Sequence, residues 1–408
     1  MPTSAKPLPW YLNLANHVGA GAQWAGLPTI DLRPETLLER ARKETGLSRF
    51  FEYDFEAPLA ILLDSYEREA KLSLLGRVAV RTSTLLSLTS QLQIQREFDL
   101  HPEILATPIE KPIFILGFPR TGTTLLHNLL AQGRKARSPM LWELERPAPA
   151  IGPDTPADDS RIGLTDTALS QTYEILPHLR AVHAFDARMP EECVVLLRKT
   201  FSCASFGIDA HLPSYVEWFF GADLVPIYRE LRKLFQLLMW RFPGHHLVLK
   251  SPLHLFAVEA ILEVFPDARI IQTHRDPRTV AASGCSLSEV LRMLYTRKPD
   301  PHVIGQDWLQ TWGTAMSRTV AAREKADPSR FFDVHFREVV AEPVRVAREI
   351  HQSFGMDWDD GMEERCLAWI ARNPSEKHGK HDYDLDYYGI AGNRMDERFA
   401  GYLTRFAP

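Results

Sequence analysis

The sequence predicts an α/β fold: a parallel sheet flanked by helices, with a helical N-terminal lead-in and a helical insertion. Three observations predict it. Four apolar runs, near Ile113, Leu247, Ile270 and Phe332, each pass into a segment of helical spacing, the alternation expected of parallel strands covered on both faces. The first run, Pro112-Ile113-Phe114-Ile115-Leu116, ends in a glycine turn that opens a helix, GFPRTGTTLLHNLL from Gly117 to Leu130. From Leu32 to about Ile104, apolar residues recur at helical spacing instead.

In chain order, the lead-in over residues 1–110 contains a helix begun by Pro34 and stopped near Gly46. Amphipathic stretches follow around Ala60 to Leu75 and Val80 to Gln95. After the first strand, Leu125, Leu126, Leu129 and Leu130 mark a helix for which Gly133 is the expected stop. Residues 134–245 form an insertion beside the strand ends, with the Pro/Asp-rich run IGPDTPADDS as a loop, and suit a lid or acceptor pocket. Its aromatics Phe185, Trp218, Phe219, Phe220 and Trp240 fit an apolar pocket or plain core. The second strand, His246 to Lys250, leads through Ser251-Pro252 into a helix marked by Leu255, Val258, Leu262 and Phe265. The third, Ala268 to Thr273, is followed by Arg275 and a helix carrying Pro277 in its first turn and Ser283 two turns in. The fourth lies in RFFDVHFREVVAEPVRVAREI, from Arg330. The whole chain, 1–408, reads as one domain.

A glycine turn between strand and helix aims backbone N–H groups and the positive end of a helix dipole at one point, which suits a phosphate or sulfate. Arg120 adds a fixed cation, and Thr121, Thr123 and Thr124 add hydroxyls. A nucleoside triphosphatase loop reads GxxxxGK[ST]. Here Gly117 and Gly122 keep that spacing, but Thr123 stands where the lysine belongs. That argues against a P-loop kinase or nucleotide hydrolase, the rival reading.

Composition narrows the class. A net charge of -5, from 47 basic and 52 acidic side chains without long runs, gives no sign of a nucleic-acid partner. Cys193, Cys203, Cys285 and Cys366 lack metal-ligand spacing and read as reduced thiols in a cytoplasmic protein. No apolar run is long enough to span a bilayer, and the start has no signal-peptide core. Oligomeric state is not legible.

The order PRTGTT, LWEL, MPEEC, LKSP, HRDP and a tyrosine-rich tail resembles the bacterial branch of the sulfotransferases that use 3′-phosphoadenosine 5′-phosphosulfate (PAPS). The resemblance covers nearly the full chain and implies a P-loop-like fold, transfer of a sulfuryl group to a hydroxyl or amine of a small acceptor, and no catalytic metal. It places Arg120, Thr121, Gly122, Thr123 and Thr124 on the 5′-phosphate, Arg275 and Ser283 on the 3′-phosphate, and Phe336 beside adenine. It gives Lys250 the bridging oxygen of the leaving phosphate, with Arg120 sharing the charge. In cytosolic members a catalytic histidine follows that lysine; here the position is Pro252, which cannot act as a base.

The base therefore comes from elsewhere. Glu143, in SPMLWELERPAP, sits at the sequence distance from the loop where carbohydrate and tyrosylprotein members place a glutamate, and is the first choice. His183, Glu191 and Glu192 of HAFDARMPEEC, and His254 beyond Lys250, are the other candidates and the expected acceptor contacts. Adjacent acids ahead of an apolar helix also suit a helix N-terminus with no chemistry. Lys377 and Lys380 of the tail are candidates for closing over the 3′-phosphate, while Tyr383, Tyr387 and Tyr388 suit anchoring. A binding protein that has lost turnover is a further reading, kept open by Pro252.

Overall fold

The computed structural model describes residues 16–17, 30–149, 159–176, 179, 185–242, 244–373 and 385–407. Five strands form one sheet: β1 Ile113–Gly117, β2 Ala136–Arg137, β3 His246–Lys250, β4 Arg269–His274 and β5 Phe331–His335. Their order is β2-β3-β1-β4-β5 and every pairing is parallel. All four predicted strands are present. The fifth, β2, is two residues long inside the predicted insertion and has no apolar run to announce it.

β1 is buried at every position because helices cover both faces, so its sequence is continuously apolar. The order reverses about β1: the chain leaves it for β3 on one side and then crosses to β4 on the other. Such a reversal opens a crevice at the carboxyl ends of the strands, where open α/β sheets bind ligands. The register aligns Ile115 with Lys250 and Gly117 with Thr273. The predicted site segments thus reach one edge.

The lead-in contains the helices Pro34–Thr45, Glu56–Arg68 and Leu74–Leu100. The first stops as expected, with Gly46 left-handed at φ 69°. The stretch read as helix from Ala60 to Leu75 is broken at 69–73. There Ser73 caps the next helix by accepting from the Gly76 N–H at 3.0 Å, while its own N–H donates to the Tyr295 carbonyl. Helix Thr123–Leu130 caps on Ala131, ahead of the expected Gly133.

One cluster of buried residues runs from Leu37 and Leu88 of the lead-in through Tyr215 and Leu234 of the insertion to Leu249, Trp308 and Phe399. Phe219 and Phe220 pack on Phe256, and Trp240 lies against His101. Phe219 is buried in that cluster, and Phe220 and Trp240, half-buried, pack against it. Phe185 differs, sitting half-buried in a separate cluster with Leu75, Tyr173, Leu176 and Leu287. The four cysteines are buried free thiols, and burial pushes the Cys193 thiol up to about 12. Among the described residues, no helix is long and apolar enough to cross a membrane.

Candidate active site

The crevice is floored by the loop after β1. Arg120 and Gly122 take left-handed conformations, at φ 68° and 85°, which turn successive N–H groups toward one concavity. Gly117 has φ 153°, and a Cβ there would lie 2.1 Å from Thr273 Oγ1 and 2.8 Å from the Thr273 carbonyl oxygen. Only glycine lets the loop approach β4 this closely. Thr121, fully buried, donates to the Phe118 carbonyl at 2.6 Å and shares a 2.6 Å hydrogen bond with the Thr273 hydroxyl. Its hydroxyl, expected among the anion donors, therefore belongs to the loop's own framework. Thr124 is exposed at the first turn of the following helix.

Arg275 leaves the end of β4 and meets this loop. Its guanidinium lies 3.9 Å from the centroid of the Phe336 ring, and its Nη1 donates to the Arg120 carbonyl at 2.7 Å. Burial, then the nearby Arg120 charge, holds its pKa below the usual arginine range. No carboxylate forms an ion pair with Arg120 or Arg275 among the described residues. Ser283, on the helix Pro277–Tyr295, is 5 % exposed and its hydroxyl has no hydrogen-bond partner. Two repelling cations at one loop, followed on the next helix by a buried hydroxyl with no partner among the described residues, are a poor arrangement unless an anion completes it.

Across β1, Lys250 ends β3 with a side chain only 1 % exposed. Its Nζ lies 2.7 Å from Glu192 Oε1, 3.5 Å from Thr124 Oγ1 and 3.9 Å from Glu191 Oε1. Burial works to lower its pKa, but Glu192 and Glu191 outweigh that and hold it raised, so the lysine is charged. The acidic segment is fixed in place. The Glu191 N–H donates to the Pro139 carbonyl, and the Cys193 N–H donates to the Lys250 carbonyl. Glu192 keeps 19 % of its side chain exposed against 8 % for Glu191, which makes it the more accessible acid on the lysine.

Two expected acceptor-side residues are buried and bonded to other protein groups. Glu143 is 5 % exposed and both its oxygens are engaged: one in a buried ion pair with Arg137, the other accepting the Met140 N–H at 2.8 Å. Its sequence distance from the loop brought it forward, and its carboxylate instead holds the start of a short helix, Leu141–Glu145. His254 is fully buried, edge-on to Phe114, with Nδ1 2.7 Å from the Tyr228 hydroxyl. Burial pushes its pKa down to about 3, so it is a neutral core histidine. His183 and the tail residues Lys377, His378, Lys380, His381 and Tyr383 lie outside the described residues. Tyr387 and Tyr388 anchor the tail as expected, donating to the two oxygens of Glu289 at 3.0 and 2.9 Å.

Sequence reasoning named Lys250 and Glu192 without pairing them and missed Tyr402, whose hydroxyl meets the Arg275 backbone. A pairing across 58 residues leaves no local signal.

Comparison with known proteins adds a decisive observation: a model of the sulfotransferase family matches residues 112–360, from the first strand through the loop, Lys250, Arg275 and Phe336. The chain belongs to the sulfotransferase family. Its structure is similar to the crystal structure of sulfotransferase STF1 from Mycobacterium tuberculosis H37Rv, with a TM-score of 0.81 and 32 % identity over 90 % of this chain and 98 % of that one. It is also similar to STF9 from Mycobacterium avium, with a TM-score of 0.84 and 27 % identity over 92 % and 97 %. Among curated proteins, the omega-hydroxy-beta-dihydromenaquinone-9 sulfotransferase Stf3 of Mycobacterium bovis is 24 % identical over 315 residues, 74 % of this chain and 76 % of that protein. This sulfotransferase therefore transfers a sulfuryl group, on a P-loop-like α/β fold.

Proposed function

We propose that this sulfotransferase takes its sulfuryl group from PAPS and delivers it to a hydroxyl, or an amine, of a small apolar acceptor, with Glu192 as the general base. The observation that carries the donor reading is the contact of Arg275 with the Arg120 loop, neither arginine having an acidic ion-pair partner among the described residues, with the buried Ser283 hydroxyl on the helix that follows. Two anion subsites follow. The loop amides, Arg120, Thr123 and Thr124 suit the 5′-phosphosulfate, and Arg275 with Ser283 suits the 3′-phosphate. Phe336, already under Arg275, offers an apolar face to the adenine.

In the reaction the acceptor oxygen attacks sulfur and its proton passes to the Glu192 carboxylate. The sulfur–oxygen bond to the 5′-phosphate breaks, leaving 3′,5′-adenosine diphosphate with new negative charge on the bridging oxygen. Lys250, Arg120 and the loop amides hold that charge, and they hold it more strongly in the transition state than in the ground state. These fixed cations supply the electrophilic stabilisation, so turnover is expected to proceed without a metal and to survive chelation.

Support for an apolar acceptor is the half-buried Phe185 cluster ahead of Glu192 in the same segment. The relative Stf3 is by name a sulfotransferase of a hydroxylated menaquinone. The buried free thiols support a cytoplasmic setting.

Calorimetric titration with 3′,5′-adenosine diphosphate, beside ADP and magnesium-ATP, tests the donor. Tighter binding of the 3′-phosphorylated ligand without metal is expected. Preference for magnesium-ATP would return the chain to the kinase-like reading that Thr123 argues against.

A further inference from the structure

Arg275 is held from behind by a hydrogen-bonded chain that ends on the C-terminal helix, Gly392–Phe406. The Tyr402 hydroxyl lies 3.3 Å from the Arg275 nitrogen and 3.4 Å from the Arg275 carbonyl oxygen. It also lies 3.3 Å from Nδ1 of His274, whose Nε2 is 2.7 Å from Asp333 Oδ1. Arg323 closes the chain with bonds of 2.6 and 2.7 Å to the two Asp333 oxygens. The single tyrosine proton has two acceptors in reach, His274 Nδ1 and the Arg275 carbonyl oxygen. Asp333 is a carboxylate, so His274 donates from Nε2 and presents Nδ1 as acceptor. The tyrosine accepts the Arg275 N–H and shares its one proton between Nδ1 and the Arg275 carbonyl, so it meets the Arg275 backbone on both sides.

The ring stack supports the same line. Phe406 lies 4.4 Å from the His274 ring and Tyr402 lies 5.7 Å from it. Tyr402 and His274 are 2 % and 1 % exposed, so neither hydroxyl nor imidazole can trade these partners for water.

We propose that Tyr402, backed by His274, Asp333 and Arg323, is a positioning residue that aims Arg275 and thereby sets the preference for a 3′-phosphorylated nucleotide. The inference rests on the reading of Arg275 as the 3′-phosphate arginine. Tyr402 touches no nucleotide in this account; it fixes the backbone from which the guanidinium projects.

The test compares two ligands, 3′,5′-adenosine diphosphate and 5′-AMP, titrated into the full chain and its Arg275→Ala, Tyr402→Phe and Asp333→Asn variants. The parent prefers the 3′-phosphorylated ligand, and Arg275→Ala abolishes the preference. Tyr402→Phe keeps the ring stack but reduces the preference about threefold or more, the worth of one hydrogen bond, while 5′-AMP binds as in the parent. Asp333→Asn, at a partly exposed position, reduces it in the same direction and carries the test if Tyr402→Phe does not fold. A merely structural role would weaken both ligands equally, and that result overturns the proposal. So does full preference in both variants when Arg275→Ala has lost it, which leaves the donor reading standing. A parent with no preference removes the donor reading and the relay together.

Discussion

Lys250 Nζ and Glu192 Oε1 lie 2.7 Å apart at the carboxyl end of β3, so the cation assigned to the leaving oxygen and the acid assigned to the acceptor form one ion pair. The pairing keeps the lysine charged despite its burial. On the proposed roles it would also place the proton acceptor beside the bond that breaks. The sulfuryl group and the acceptor hydroxyl must then meet in front of these two side chains.

Glu192→Gln should lower turnover about 10²–10⁴-fold, the range attributed to a positioned general base. Affinity for 3′,5′-adenosine diphosphate should change little, because Glu191 remains to pair with Lys250. Steady-state rates beside a titration separate the two effects. Parental turnover in Glu192→Gln would move the base to another residue, His183 being next.

Glu143→Gln should behave in the opposite way. It removes the partner of a buried arginine, and breaking such a pair costs about 3–5 kcal/mol. Arg137 would keep its bond to the Ser138 carbonyl, its place over the Phe242 ring and at most one uncharged hydrogen bond to the new amide oxygen. Urea denaturation should show the loss, while turnover per folded molecule stays near the parent value. A tenfold fall in turnover at unchanged stability would restore Glu143 as the base.

Stability should fall as the solution is made acid, through two buried histidines. Burial holds both His127 and His254 down to about 3 in the folded protein. In the unfolded chain the ordinary value is about 6.5. Between those limits the unfolded state binds more protons, so folding is weakened as pH falls below about 6.5, by about 1.4 kcal/mol per pH unit for each histidine. Urea midpoints at about pH 7.5 and about pH 5.5 check the sign, and His254→Gln should flatten the dependence. Equal midpoints in the parent would show that neither histidine is shielded.

Where local pattern decided the outcome, the sequence could be read. The four longer strands are short apolar runs that end in turns and enter helices. Gly46 stopped its helix because a left-handed residue was needed there. β2 carries no such pattern, and the break before Ser73 has no proline or glycine to mark it, since Lys71 itself takes the positive φ. The loop and the Arg275–Ser283 segment were visible because their chemistry is local. Glu143 came forward on its distance along the chain, which says nothing of which cation a carboxylate will meet. Arg137, six residues before it, was the available clue. His254 sits in the apolar string PLHLF, a sign of burial. Tyr402 reaches Arg275 across 127 residues, a separation only the folded chain closes.

The Thr121–Thr273 hydrogen bond and the close approach of Gly117 to β4 tie the loop of one anion subsite to the strand that carries Arg275 for the other. On the proposed roles, the gap between the two subsites would be set by the protein before any nucleotide arrives. The crevice acts as a ruler. A nucleotide whose second phosphate hangs from a different ribose oxygen brings the same charge and the same base, and meets it at the wrong length.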